Sequence, residues 1–263
     1  MKLAFIGGGT MGTAIVKSLL GKNVAEPGDI VVSDVSQSRR ESLGKEYGVS
    51  TLADNRKAME GSDMLILAIK PQDLAHVMEE IKTPPSQQGV LSIVAGASLP
   101  RLCQGLNHPS VVRAMPNMPA QIGQGMSVWT ATAEVSQGQK DLAQSILGAM
   151  GEEIYVPDEK YLDMATALSG SGPAYIFLVI EALIDAGVHI GFQRDVARKL
   201  VIQTVLGSTY AVQKTGKHPA ELRNMVTSPG GTTTEALLQM EKGGLRSLFI
   251  EAVLAAYEKA KRL

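Results

Sequence analysis

The sequence predicts an α/β domain built on a parallel sheet, residues 1–157, followed by an all-α domain, residues 158–263. Three observations lead to this prediction. Short apolar runs alternate with helical segments over about the first 120 residues, which is typical of strands joined by right-handed crossovers. A glycine-rich turn follows the first of these runs. From residue 159 onward the strand pattern stops and helical periodicity takes its place.

The first apolar run, residues 3–6, has no polar alternation, which suits a strand covered on both faces. Gly7, Gly9 and Gly12 follow at the spacing G-x-G-x-x-G, and a helix is predicted from residue 10. Gly7 allows a tight turn, Gly9 lets a pyrophosphate approach the backbone, and Gly12 lets the helix pack closely on the strand. The first-turn N–H groups then point at the anion. This context favours dinucleotide binding over a plain glycine turn.

A second strand, residues 30–33, is followed by Asp34, which lies 22 residues after Gly12. An acidic residue about 20 residues beyond the glycines contacts the ribose in many dinucleotide-binding domains. A carboxylate there prefers a free 2′-hydroxyl and repels a 2′-phosphate. Arg39 and Arg40 either offset this charge or are solvated helix residues, and we expect the latter.

The remaining elements of the α/β domain follow from the same patterns. Helices are predicted at residues 36–47, with Ser36 as N-cap, at 72–81 and at 134–150. Strands are predicted at residues 49–52, 63–69, 90–94, 111–114, 125–130 and 153–156. Ligands collect beyond the carboxyl ends of parallel strands. The turns at residues 68–71, 95–97 and 115–119 are therefore expected at the same crevice as the glycine turn.

The all-α domain is predicted to hold helices at residues 161–186, 195–213, 219–225, 232–240 and 245–261. Two of these helices carry wide apolar stripes, formed by Val196, Leu200, Val201, Val205 and Leu206, and by Phe249, Val253, Leu254 and Tyr257. Such stripes pack either within the domain or against a second copy, and we expect an oligomer.

The segment 168–173, LSGSGP, is unusual inside a helix. Interior glycines cost about 1 kcal/mol each and an interior proline about 3 kcal/mol. Small side chains at this point permit either a kink or tight helix crossing, or direct contact with a substrate, and both interpretations stay open.

The segment 227–235, TSPGGTTTE, is predicted to begin a helix with Ser228 as N-cap and Pro229 at the first helical position. Gly230 and Gly231 leave the first turn bare, and three threonines follow. A bare helix N-terminus beside hydroxyl groups suits a carboxylate, which we favour over an ordinary capped helix start.

The composition excludes several classes of protein. Hydrophobic residues make up 44% and charged residues 19% of the 263 residues, which is typical of a globular chain. A net charge of −1 without a basic block gives no electrostatic case for nucleic acid or a membrane surface. Cys103 is the single cysteine, which excludes an internal disulfide and favours a cytoplasmic location. The histidines lack metal-ligand spacing, no signal peptide is expected, and no apolar stretch is expected to reach membrane-spanning length.

Six motifs, in this order, resemble the pyrroline-5-carboxylate reductase family over essentially the whole chain. They are FIGGGTMG at 5–12, AIKP at 68–71, SIVAG at 92–96, RAMPNMPA at 113–120, LSGSGPAY at 168–175 and MVTSPGGTTTEAL at 225–237. The resemblance implies a Rossmann domain and a helical dimerisation domain, in a homodimer or larger homo-oligomer. It implies reduction of the C=N bond of 1-pyrroline-5-carboxylate to L-proline, the last step of proline biosynthesis, with NADPH as cofactor and NADH left open.

The resemblance also assigns roles to residues. Thr233 is the catalytic candidate, because it matches the threonine that contacts the ring nitrogen, and no metal is implied. The implied substrate-binding residues are Ser228, Gly230, Gly231, Thr232 and Thr233. The implied cofactor-binding residues are Gly7, Gly8, Gly9, Thr10, Met11, Gly12, Ser33, Asn55, Ala68, Ile69, Lys70, Pro71, Ala95 and Gly96.

The sequence also bears on the source of the chemistry and on two alternative functions, a β-hydroxyacid dehydrogenase and a nucleotide-binding sensor. The sequence has no G-x-S-x-G, P-loop or paired-carboxylate motif, so any chemistry would come from the cofactor. A β-hydroxyacid dehydrogenase shares the two-domain plan but carries a lysine on the long interdomain helix, and residues 161–186 contain none. A nucleotide-binding sensor without catalysis would not need the SPGGTT segment.

Overall fold

The computed structural model describes residues 1–262. Its contacts divide the chain into two compact units, Met1–Ser171 with the chain end from Ala256 on, and Gly172–Ala255. The first unit contains the glycine turn, and the second contains the SPGGTT segment.

The first unit is built on one eight-stranded sheet. Its strands are β1 Leu3–Ile6, β2 Ile30–Ser33, β3 Ser50–Leu52, β4 Met64–Leu67, β5 Gly89–Ser92, β6 Val111–Met115, β7 Gly125–Ala131 and β8 Gly151–Tyr155. The spatial order is β3-β2-β1-β4-β5-β6-β7-β8. The pairings from β3 through β6 are parallel, as predicted. The pair β6–β7 is antiparallel, because the connection at 116–124 is too short for a helical crossover.

Helices cover both faces of this sheet. They are α1 Thr10–Gly21, α2 Gln37–Tyr47, α3 Asn55–Met59, α4 Leu74–Glu80, α5 Leu99–Leu106, α6 Gln137–Ala149 and α7 Lys160–Ala165. Alternate residues of β1 point to opposite faces. Phe5 lies in a buried cluster with residues of α1, and Ile6 lies in a second cluster with residues of α4 and α5. The apolar runs are therefore strands buried on both sides, as predicted.

Helices α3 and α5 are absent from the sequence prediction. Ser98 caps α5 by accepting a hydrogen bond from the backbone N–H of Arg101 at 3.4 Å, and Asn107 ends it in the left-handed conformation with φ +48°. Ser98 followed by Pro100 in the first helical turn is a recognisable helix start. Ser36 is the N-cap residue of α2, as predicted, although its side chain accepts no capping hydrogen bond there.

The second unit is helical throughout its regular structure, as predicted. Its helices are α8 Gly172–His189, α9 Arg194–Thr215, α10 Pro219–Met225, α11 Thr232–Lys242 and α12 Leu245–Ala260, the last of which runs into the chain end. Residues of both predicted apolar stripes remain exposed in the single chain, with Leu200 49% and Leu254 55% exposed. These stripes are therefore not buried within one copy.

The LSGSGP segment contains the end of one helical element, at Gly170, and the start of the next, at Gly172. Residues Thr166–Gly170 form one π-helical turn, in which the N–H of Ser171 donates to the carbonyl of Thr166 at 2.8 Å. Pro173 lies in the first turn of α8, where its missing N–H removes no helical hydrogen bond.

The expectation that no stretch reaches membrane-spanning length is wrong. The helical run Lys160–His189 has 30 residues and a mean hydropathy of 1.6, and 6% of its apolar window is buried. The prediction considered only the apolar stretch at residues 175–183, whereas the helical run extends from Lys160 to His189. Length and composition alone are weak evidence for a membrane span.

Arg113 on β6 connects the sheet to the start of α7. Its buried guanidinium donates to Glu159 at 2.6 Å and lies 3.6 Å from Asp163. The same Glu159 oxygen accepts from the N–H of Leu99 at 2.7 Å, at the first residue of α5. The Glu159 carboxylate at the start of α7 therefore forms hydrogen bonds with both β6 and α5.

Replacing Arg113 with methionine is expected to lower the free energy of unfolding by about 3 kcal/mol, because it leaves carboxylates without their buried cation. Arg101→Met on the exposed side of α5 serves as the control, with an expected change within about 0.5 kcal/mol. Urea unfolding of the two variants measures the difference. Equal stability of both variants would contradict a structural role for this ion pair.

Candidate functional site

The glycine turn is shaped by close backbone approaches. Gly7 has φ +104°, and a Cβ there would lie 2.5 Å from the carbonyl oxygen of Ala68. A Cβ on Gly12 would lie 2.3 Å from the carbonyl oxygen of Gly7. Gly9, in contrast, has extended backbone, and its Cβ would meet no atom within 4 Å. Gly7 and Gly12 are therefore required by the turn itself, whereas the space above Gly9 is open.

Helix α1 begins at this turn without a side-chain cap. Within residues 1–262 no group accepts from the backbone N–H of Thr10, Met11 or Gly12. Three unpartnered donors at a helix N-terminus, beside open space over Gly9, fit a phosphate group. The tight turn and the uncapped helix start predicted from the glycine spacing are present.

The predicted turns lie at the carboxyl ends of neighbouring strands. The N–H of Ala68 donates to the carbonyl of Ile6 at 2.9 Å, and the N–H of Ile93 donates to the carbonyl of Leu67 at 3.1 Å. Gly96 follows with φ +72°. The structure therefore brings the turn after β4, residues 68–71, and the turn after β5, residues 95–97, to the edge that holds the glycine turn.

Ser33 and Asn55 are both buried and contact each other, with the Ser33 hydroxyl donating to the Asn55 side-chain oxygen. The Asn55 amide also donates to Glu80 at 2.8 Å. The Gly7 N–H donates to the carbonyl of Ser33 at 2.7 Å, so this pair lies beside the glycine turn.

Asp34 is turned toward the backbone. Its carboxylate accepts from the N–H of Gly8 at 2.9 Å and from the N–H of Ser36 at 2.8 Å, and the side chain is 5% exposed. The Arg39 guanidinium lies 3.7 Å from this carboxylate, and Arg40 donates to the Asp34 carbonyl at 2.7 Å. The expectation that both arginines are merely solvated helix residues is wrong.

A cavity of about 400 Å³ opens beside the glycine turn, between α1 and α2. It is lined by Gly8, Gly9, Thr10, Thr13, Ala14, Lys17, Arg39, Tyr47 and Gln121. Five of these lining residues are not among the residues that the sequence predicts for a site: Thr13, Ala14, Lys17, Tyr47 and Gln121. Lys17 follows Thr10 and Thr13 by seven and four positions on the same face of α1, and this helical spacing would have identified it. Nothing in the sequence pointed to Gln121.

In the second unit, the SPGGTT segment differs from the prediction in where the helix begins. Helix α11 begins at Thr232 with Gly231 as N-cap, so Ser228 is not the cap and Pro229 is not in the first turn. The reason is a tight turn before the helix: Gly230 has φ +65°, and the N–H of Gly231 donates to the carbonyl of Ser228 at 3.1 Å.

The start of α11 is bare. Gly231 supplies no side-chain cap, and within the described part of the chain nothing accepts from the N–H of Thr232 or Thr233. A Cβ on Gly231 would lie 2.4 Å from the Ser228 hydroxyl oxygen, so a larger residue is excluded unless the serine moves. The start of α11 therefore offers two free N–H donors beside a hydroxyl group, which is the geometry that an anion-binding helix start requires.

The three consecutive threonines differ from one another in the structure. Thr234 donates its hydroxyl to the carbonyl of Ser228 at 2.9 Å, which bridges the turn. Thr232 is exposed and Thr233 half-buried, and neither hydroxyl has a hydrogen-bond partner among residues 1–262. The Thr234 hydroxyl is therefore occupied by its hydrogen bond within the turn, whereas the hydroxyl groups of Thr232 and Thr233 are available for a ligand.

Two family models match the chain. Residues 159–263 match the pyrroline-5-carboxylate reductase dimerisation family, and residues 2–96 match a family described as NADP oxidoreductase, coenzyme F420-dependent. The two matches fall on the helical segment and on the first strands of the sheet.

Relatives match over the full length. A pyrroline-5-carboxylate reductase from Synechocystis is 42% identical, over 100% of this chain and 98% of its own length. The structure of a pyrroline-5-carboxylate reductase from Coxiella burnetii is 39% identical, with a TM-score of 0.93 over 99% of this chain and 97% of its own. The enzyme from Plasmodium falciparum, solved with NADP bound, is 31% identical, with a TM-score of 0.91 over 100% and 97% of the two chains.

Proposed function

This chain belongs to the pyrroline-5-carboxylate reductase family, and we propose that it reduces the C=N bond of 1-pyrroline-5-carboxylate to L-proline, the last step of proline biosynthesis, with NADPH. The observation that carries the proposal is 42% identity across the whole chain, which includes both the glycine turn and the SPGGTT segment. A β-hydroxyacid dehydrogenase is disfavoured, because the long helical run has its only lysine at its first residue, Lys160, which is paired with Asp158 at 2.9 Å.

We propose that the cofactor lies along the crevice at the carboxyl ends of β1, β2, β4 and β5. The free N–H groups at the start of α1 would hold its pyrophosphate, and Ser33 would lie near the adenosine ribose. The remaining cofactor-binding candidates are Gly7, Gly8, Gly9, Asn55, Ala68, Ile69, Lys70, Pro71, Ala95 and Gly96. The bound nicotinamide would supply the hydride to the ring carbon of the C=N bond.

The substrate carboxylate would be received at the start of α11. The free N–H groups of Thr232 and Thr233, together with the positive end of the helix dipole, support this assignment. Ser228, Gly230 and Gly231 complete the same turn and would contact the substrate. The Thr233 hydroxyl has no competing partner among the described residues and would contact the ring nitrogen.

In this mechanism Thr233 orients the ring nitrogen without acting as a strong acid. An imine is basic enough to be protonated by solvent before the hydride arrives. This accounts for a substrate turn without a histidine or carboxylate in its anion-binding part, residues 228–234. The task of the protein is then to bind the carboxylate and to hold the ring in one orientation.

We further propose a homodimer or larger homo-oligomer in the cytoplasm, with no nucleic acid or membrane as partner. The match of residues 159–263 to a dimerisation family and the exposed apolar stripes support the oligomer. A second copy accounts for the exposed apolar run Lys160–His189 without a membrane. The same match supports a boundary near residue 157 between a nucleotide-binding domain and a dimerisation domain.

The experiment that tests the reaction is the loss of reduced-nicotinamide absorbance on adding pyrroline-5-carboxylate, with NADPH and NADH in parallel and proline measured as product. Loss of absorbance with formation of proline supports the reductase. Tight nucleotide binding without any proline would instead favour a nucleotide-binding sensor.

The contact between Thr234 and Ser228 leads to a separate prediction. Thr234→Val keeps the shape of the side chain but removes the hydroxyl that bridges the turn, so the free N–H groups are less well fixed. We expect KM for pyrroline-5-carboxylate to rise about 5-fold, the equivalent of one neutral hydrogen bond, with kcat changing less. Thr234→Ser keeps the donor and is expected to restore KM; an unchanged KM in the valine variant would contradict this role.

A further inference from the structure

The LSGSGP segment, which the proposed function leaves without a role, includes most of the π-helical turn Thr166–Gly170. Such turns interrupt the regular hydrogen bonding of a helix and occur frequently at functional sites. This turn lies against the carboxyl end of β6, because a Cβ on Gly170 would lie 3.0 Å from the Cε atom of Met115, the last residue of that strand. The turn is therefore placed at the edge of the sheet where ligands collect.

Asn117, two residues beyond the end of β6, connects this turn to the sheet. Its side-chain amide donates to the carbonyl of Ser169 at 3.0 Å. Its side-chain oxygen accepts from the backbone N–H of Met126, on β7, at 2.9 Å. Both polar atoms of the side chain therefore have partners, and the two hydrogen bonds fix its orientation between β7 and the turn.

The carbonyl of Ser169 is one that a helix cannot serve in the usual way. In a continuous α-helix a carbonyl accepts from the N–H four residues later. Four residues after Ser169 comes Pro173, which has no N–H. The amide of Asn117 supplies a donor from the end of β6 instead. The position of the turn is therefore tied to the sheet and not to the helix alone.

The proposed path of the cofactor relates this contact to the reaction. The adenosine ribose is assigned to the end of β2 and the pyrophosphate to the helix start after β1. In the sheet order, β4, β5 and β6 follow on the other side of β1. The nicotinamide end of the same dinucleotide would therefore extend toward the strand ends that carry Asn117 and the π-helical turn.

We propose that Asn117 is a positioning residue for hydride transfer, which it serves by holding the turn Thr166–Gly170 against the carboxyl end of β6. The inference rests on the proposed function, because it needs a nicotinamide dinucleotide in the crevice. A turn held in one place gives the nicotinamide ring a fixed wall and one orientation. Small errors in the alignment of reacting groups lower the rate of a reaction strongly, even where binding is retained.

A stopped-flow single turnover tests this role, with the full chain saturated with NADPH and mixed with pyrroline-5-carboxylate. Asn117→Asp keeps the oxygen that accepts from Met126 and removes the donor to Ser169. We expect the single-turnover rate, read as loss of reduced-nicotinamide absorbance, to fall about 10-fold, the equivalent of one neutral hydrogen bond. The Kd for NADPH, measured by titration, should change less than about 2-fold, because the contact orients the ring and does not bind the phosphates.

A second variant and a control complete the experiment. Asn117→Ser shortens the side chain without adding a charge and should show the same loss of rate. Asn107→Asp is the matched control, since it removes an exposed amide that donates to the Thr83 hydroxyl at 3.3 Å, at the opposite edge of the sheet. Its single-turnover rate should equal that of the unmodified chain.

Two results would overturn the inference. A lower melting temperature with an unchanged single-turnover rate would make Asn117 a purely structural residue. A rise in the Kd for NADPH as large as the fall in rate would show that Asn117 serves binding of the cofactor and not its orientation. Failure of the proposed function is distinct from both, because the unmodified chain itself would then fail to oxidise NADPH with pyrroline-5-carboxylate.

Discussion

Thr233→Val is expected to lower kcat for pyrroline-5-carboxylate reduction about 100-fold, the effect of losing one well-placed donor or acceptor at a reacting group. The substitution keeps the size of the side chain and removes only the hydroxyl. In the structure this hydroxyl has no partner among residues 1–262, so its loss disturbs no internal hydrogen bond. The effect should therefore appear in turnover and leave the melting temperature unchanged.

The control for Thr233→Val is Thr209→Val on α9, where the hydroxyl donates to the carbonyl of Val205 within its own helix. We expect this control to keep its turnover. Thr233→Ser, which retains the hydroxyl, should recover most of the lost kcat. Kinetics unchanged by Thr233→Val would remove Thr233 from the mechanism.

The second large effect concerns Gly9. Gly9→Val should raise the Kd for NADPH more than about 100-fold, because its side chain occupies the space where the phosphates approach the backbone. Its backbone is extended and a Cβ there meets nothing within 4 Å, so the fold should tolerate the change. Gly12→Val differs, since a Cβ there lies 2.3 Å from the carbonyl oxygen of Gly7.

The pair of variants separates binding from folding. Gly9→Val is expected to keep its thermal unfolding temperature while its nucleotide affinity falls. Gly12→Val is expected to show both a lower unfolding temperature and a lower nucleotide affinity. Nucleotide titration and differential scanning calorimetry measure the two quantities. Retained NADPH affinity in Gly9→Val would show that the phosphates do not lie over this turn.

Local patterns were sufficient for much of the fold. Buried strands such as Leu3–Ile6 and helices such as Pro219–Met225 agree with their predicted bounds, since their signals lie within a few consecutive residues. The short helix Asn55–Met59 was missed, because five residues carry too little periodicity to recognise. The antiparallel strand β7 was not predicted as such, because strand direction depends on the connection and on the neighbouring strand.

The sequence by itself determined the order of the elements, the glycine turn and the presence of a glycine-rich segment before a threonine-bearing helix. These depend on side-chain size and spacing along the chain. Only the tertiary structure decided that Asp34 accepts a hydrogen bond from Gly8 and that Lys17 and Arg39 line one cavity. It also decided that the Thr234 hydroxyl donates to the carbonyl of Ser228. The physical reason is that hydrogen bonds and charge–charge interactions depend on distances between residues far apart in sequence, or on the direction of the backbone in a turn. Composition and periodicity do not contain this information.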